Sequence, residues 1–164
     1  MLDKKNKEHQ ILALHRYYCW TTLMKRDFEA ALLKGEHFPT EGQSPLMWPI
    51  KYMAGEVGMY MSYWYGGLFV VCEGWQELGL SDPTVDGLLG DPKLQILKRY
   101  RNGAFHFQKD YFDSRFMEFQ AEQDSAGWFR DLSQALGHWF LEWLEARKTP
   151  STRDESSNRP PLKA

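Results

Sequence analysis

An all-α fold follows from three features of the chain. Apolar residues recur every three or four positions over long stretches, proline- and glycine-rich connectors separate those stretches, and no alternating run is long enough for a sheet. The 164 residues are 43% hydrophobic and 15% aromatic, enough apolar surface for one compact core. The simplest arrangement is an up-down helical bundle of about four to five helices.

The first helix spans about Lys4 to Lys34, where Ile11, Leu14, Tyr17, Trp20, Met24, Phe28 and Ala31 form one stripe. Gly35 ends it, and "GEHFPTEGQSPLMWP" reads as a loop up to Pro49, which can start a helix. The second helix runs from about Ile50 to Leu78. Its five glycines each lower helix propensity by up to about 1 kcal/mol, so it needs tertiary packing. Gly66 and Gly67 suit a tight helix-helix crossing. Gly79 to Pro92 is a connector with one short turn at Val85 to Leu89, and a third helix takes Lys93 to about Phe107. Asp113 caps a short helix over Ser114 to Ala121, and Asp124 or Ser125 caps a last helix to about Arg147, with Leu132, Leu136, Trp139 and Trp143 facing inward. Residues 1 to 148 thus make one domain. The Ser-, Pro- and charge-rich tail, Thr149 to Ala164, is expected to be disordered.

A net charge of −2 gives no global basic field, so any nucleic-acid site must be local. Cys19 and Cys72 lie in apolar helical contexts without CxxC spacing and read as reduced core residues. The charged start, "MLDKKNKEHQ", lacks an apolar segment after it, so a cytoplasmic location is expected. "VGMYMSYWYGGLFVVC" is uncharged but shorter than the roughly 20 residues of a bilayer span, and reads as a buried helix with no membrane partner.

The candidate chemistry lies in "KRYRNGAFHF", Lys98 to Phe107. Between Lys93 and Lys109 five basic residues (Lys93, Lys98, Arg99, Arg101 and Lys109) stand with no acidic one. Asn102 and His106 fall about one turn apart on the third helix, and Arg101 is long enough to reach the same place. These types suit cleavage of an RNA phosphodiester without metal or cofactor. A histidine takes the 2′-hydroxyl proton, a guanidinium holds charge building on the phosphoryl oxygens, and a carboxamide orients either. The other reading is a solvated polar edge of a helix.

The succession "WYGGLFVVCEGWQELGL", "SDPTVDGLLGD", "RYRNGAFHFQKDYFD" and "WFRDLSQALGHWFLEWL" resembles the HEPN superfamily of small helical proteins, many of them ribonucleases of toxin-antitoxin and defence systems. The resemblance covers about Met1 to Arg147, and its specific core is an R-x4-6-H motif met by Arg101, Asn102 and His106. It implies a catalytic set of these three residues; the local basic patch and the position just after the motif make Lys98, Arg99, Lys109 and Tyr111 the expected RNA contacts. It implies a homodimer in which the motif helices face each other; the small Gly103 allows that close approach, and the high apolar content leaves Tyr100 and Phe107 available to the interface. Its products would carry 2′,3′-cyclic phosphate and 5′-hydroxyl ends, and an antitoxin protein joins the partners it suggests. Members that have lost catalysis act as binding modules for RNA, a nucleotide or a protein, which is the alternative function.

Tyr111 and Asp110 either border the cleft or merely cap and pack. His9 and His15 read as solvated on the first helix, His138 as a surface residue of the last, and His37 sits in a loop. No Glu-x-x-His pair points to a di-iron bundle.

Overall fold

Long amphipathic helices joined by short connectors build the protein around α1 (Leu2–Leu33), α3 (Glu56–Glu77) and α7 (Ser125–Lys148). The computed structural model describes residues 2–34, 47–122 and 124–148, which hold seven helices and no strand. The other four are α2 (Met47–Ala54), α4 (Pro83–Leu89), α5 (Lys93–Phe105) and α6 (Ser114–Ala121). Most of the loop after Gly35 and the tail from Thr149, expected to be disordered, lie outside the described residues.

The expected second helix is two. Gly55 leaves the helical region (φ −87, ψ −174) and caps α3, so α2 and α3 meet at a break. A side chain at Gly55 would crowd the Lys51 carbonyl at 2.6 Å, and one at Gly58 would overlap the Met53 carbonyl. Two backbones this close leave room only for glycine. With α4 formed around its connector turn, this break raises the count above the four to five helices expected. Asp82 caps α4, its Oδ1 accepting from Thr84 N at 2.9 Å and Val85 N at 3.0 Å, while Asp113 caps α6 through Arg115 N at 3.0 Å.

The inner stripe of α1 also differs from expectation. Ile11, Leu14, Thr21, Phe28 and Ala31 are buried, with Tyr18 and Met24 packed at the edge, whereas Tyr17 and Trp20 point outward. Helices α1 and α3 cross where Thr21 Oγ1 donates to the Trp64 carbonyl at 2.6 Å and a Cβ on Gly67 would sit 3.1 Å from Thr21. Tyr18 ties α1 to α7 by donating to the Ser133 carbonyl at 3.0 Å. His15 is half-buried against Phe140, ring centroids 5.1 Å apart, rather than solvated.

Leu68, Val71, Trp75, Leu97, Tyr100, Phe129, Leu132, Leu136 and Phe140 form the centre of the core. Each contributes roughly 1.5–3 kcal/mol by leaving water. Tyr65, Tyr100, Phe119 and Phe129 interlock, with Tyr65–Phe119 centroids at 4.6 Å and Phe119–Phe129 at 5.0 Å. Burial pushes the Tyr65 hydroxyl well above its ordinary range and Tyr100 up to about 12. Of the two cysteines only Cys72 is in the core, its thiol pushed up to about 12 by burial; Cys19 is exposed because it lies off the true inner stripe of α1. No helix among the described residues is long and apolar enough to cross a membrane.

Candidate functional site

The end of α5 positions the motif residues. Its apolar side, Leu94, Leu97 and Tyr100, is anchored in the core, which turns Arg101 toward α3 and Gly103 toward α6. The helix stops at Phe105, and His106 is its C-cap in an extended conformation (φ −123, ψ 134). His106 therefore stands one residue past the helix rather than on the Asn102 face. The local cause is Gln108. Its carboxamide donates to the His106 carbonyl and, at 3.4 Å each, to the Asn102 and Gly103 carbonyls, satisfying acceptors that another helical turn would have used. Arg115 holds Gln108 through its Oε1 and is itself held by Asp113, Nε to Oδ1 at 2.8 Å. The Arg115 guanidinium beside Asp113 keeps that carboxyl below the usual carboxylate range.

Arg101 is half-buried and makes three contacts. Its Nη1 donates to Asn102 Oδ1 at 3.0 Å, its Nη2 to Glu73 Oε2 at 3.2 Å, and its guanidinium carbon lies 5.6 Å from the Phe69 ring centre. Arg101 and His106 line one groove of about 630 Å³, with Tyr17, Trp20, Tyr63 and Phe105 among its walls. His106 also borders a second hollow of about 390 Å³, shared with Asp110 and Tyr111. Asn102 reaches the first groove only through its bond to Arg101.

Phe105 fixes the rim between them. Its ring lies on Gly66 so closely that a Cβ there would overlap Cε2, and it meets Tyr63 edge-on at 5.5 Å. Thus Gly66 provides a close crossing, but with the end of α5.

The expected basic patch is largely neutralised from other elements. Arg99 pairs with Glu118 at 2.9 Å, Lys93 with Asp91 at 3.5 Å, and Arg101 with Glu73. Lys98 and Lys109 are exposed and make no ion pair among the described residues. Lys98, Arg99 and Lys109 line neither hollow, so only Tyr111 of the four expected RNA contacts does. A cation outside the stretch lies against two of the groove's rings without lining the groove itself: Arg16 is 5.4 Å from the Trp20 ring centre and 5.8 Å from that of Tyr17.

Two residues expected at a dimer contact are unavailable. Gly103 is buried against α6, where a Cβ would lie 3.2 Å from Arg115 Cβ and 3.3 Å from Phe116 Cζ. Tyr100 belongs to the core, its hydroxyl 3.1 Å from Ser62 Oγ. Phe107 is fully open to solvent. His138 is on the surface as expected, 3.3 Å from Glu142. Among the described residues no group of three or more His, Cys, Asp or Glu side chains is arranged to hold a metal ion.

Glu73, Gln108, Arg115 and the groove aromatics carry no motif signal, because each reaches the site through tertiary packing. Comparison with family models, curated proteins and solved structures finds no match.

Proposed function

We propose that the protein is a metal-independent endoribonuclease of toxin or defence type, acting on cytoplasmic RNA. The observation that carries this reading is that Arg101 and His106 line one groove while Asn102 Oδ1 accepts from Arg101 Nη1 at 3.0 Å. His106 takes the proton of a ribose 2′-hydroxyl, and the 2′-oxygen attacks the adjacent phosphorus. Arg101 holds the non-bridging oxygens as their charge builds. The bond to the 5′-oxygen breaks and that oxygen takes a proton, leaving a 2′,3′-cyclic phosphate and a 5′-hydroxyl. In the homodimer that belongs to this reading, a second copy of His106 supplies that proton. The chains then meet over the solvent-facing edge of α5 near Lys98 and Phe107, since Gly103 and Tyr100 are spent within the chain.

The test is incubation with mixed RNAs in EDTA. Cleavage by the wild type that is lost in His106→Ala and in Arg101→Ala is the expected result; no cleavage, or full activity in His106→Ala, removes the proposal. A second reading, a catalytically silent module that binds RNA, a nucleotide or a protein, is favoured by the pairing of Arg101 with Glu73, which occupies the guanidinium in advance. RNA binding without cleavage would select it.

A further inference from the structure

The groove beside Arg101 is walled by side chains that the core does not need. Tyr17, Trp20, Tyr63 and Phe105 expose 40%, 52%, 52% and 48% of their surfaces, although rings as large as Trp75 and Phe129 are wholly buried nearby. They stand in two edge-to-face pairs, Tyr17–Trp20 at 5.3 Å and Tyr63–Phe105 at 5.5 Å, which hold the rings in place without a ligand. An apolar patch of this kind, contributed by α1, α3 and the end of α5, marks a binding surface.

Charge and size choose the occupant. At about 630 Å³ the groove lies within the range of about 300–1,000 Å³ typical of small-molecule sites. It has Arg101 and His106 in its lining and Arg16 over two of its rings. An aliphatic chain would leave the Arg101 and Arg16 guanidinium groups unused. A planar aromatic body joined to a phosphate matches both halves of the surface.

We propose that this groove is a seat for one unpaired nucleobase, stacked on Trp20 and its neighbouring rings while Arg101 holds the adjoining phosphate. The inference rests on the ribonuclease reading and adds a substrate requirement to it: the nucleotide next to the cleaved bond must be splayed out of any helix. Paired RNA keeps its bases stacked inside and offers the groove nothing.

The experiment measures binding of a labelled single-stranded oligomer with 2′-O-methyl riboses, which cannot be cleaved by 2′-oxygen attack. Wild type is compared with Trp20→Ala, Trp20→Phe and Arg101→Ala, each first checked for an unchanged melting curve. Trp20→Ala should weaken binding about 5- to 150-fold, Trp20→Phe should keep most of the affinity, and a duplex of the same sequence should bind more weakly than the single strand. If Arg101→Ala weakens binding and Trp20→Ala does not, the base seat is wrong while the phosphate site stands. If the wild type binds no RNA, the ribonuclease reading falls and the seat with it. If Trp20→Ala instead converts a dimer to monomer in sedimentation and leaves RNA binding unchanged, the patch serves self-association, and the seat is again wrong.

Discussion

Gly66→Ala should leave the fold nearly as stable as before while disturbing the approach to His106. The new Cβ would overlap Phe105 Cε2 and come within 3.0 Å of Cζ, so the ring must swing off α3. Phe105 already exposes 48% of its surface, and full burial of such a ring stabilises by roughly 1.5–3 kcal/mol, so its departure costs on the order of 1 kcal/mol. Alanine regains roughly 0.8–1 kcal/mol of helix propensity in the middle of α3. The two nearly cancel, and the melting temperature should move by no more than about 2 °C. The site feels the change far more, because Phe105 is bonded to His106 and a displacement of about 1 Å can cost on the order of 100-fold in rate. Thermal melting and single-turnover cleavage on the same preparation give both numbers. A stability loss above about 3 kcal/mol would show that Phe105 cannot yield, and an unchanged cleavage rate would show that it does not position His106. Gly127→Ala is the control. Nothing lies within 4 Å of that Cβ position, so stability should rise by up to about 1 kcal/mol with no change in cleavage.

Glu73→Gln removes a pair whose side chains are 30% and 39% exposed, so solvent screening limits its worth to about 0.2–1 kcal/mol. Single-stranded RNA should bind about 1.4- to 5-fold more tightly at low salt; weaker binding would mean that Glu73 aims Arg101 instead of competing with phosphate. Tyr65 and Tyr100 are held protonated by burial, so the stability they contribute is fully present below pH 10 and is lost as pH rises through their folded values. Denaturant melts should lose up to about 1.4 kcal/mol per pH unit for each of the two above pH 10, and flat stability to pH 12 would contradict their burial. In native protein a thiol reagent should label Cys19 alone, with Cys72 reacting only after unfolding; rapid labelling of both would contradict the placement of Cys72.

The parts of this structure readable in the sequence are those that local physics decides. The helix order, the cap at Asp113 and the inward positions Leu132 and Leu136 follow from periodicity and side-chain chemistry within a few residues. Neighbouring stripes of one helix are harder. Tyr17 and Trp20 lie one position from Tyr18 and Thr21, both stripes carry aromatic or small residues, and only contact with Trp64 and Ser133 selects the second. The break at Gly55 was hidden among five glycines of which several are tolerated in mid-helix. At the site, Arg101, Asn102 and His106 could be singled out by type and spacing. Glu73 is 28 positions from Arg101, and the turn that lifts His106 off the helix depends on Gln108 and Arg115. Nor could spacing tell that Gly103 faces α6 rather than a second chain.

In the proposed reaction a 2′-oxygen is the nucleophile and His106 its base. That reaction is tested most directly with a short single-stranded RNA bearing one 2′-deoxy nucleotide at the cleaved position, incubated with the protein in EDTA. Wild type should cut the all-ribose strand to a 2′,3′-cyclic phosphate and a 5′-hydroxyl, and should leave the bond after the deoxy nucleotide intact. Cleavage of the deoxy-substituted bond at an undiminished rate, or products ending in a 5′-phosphate, would rule that reaction out.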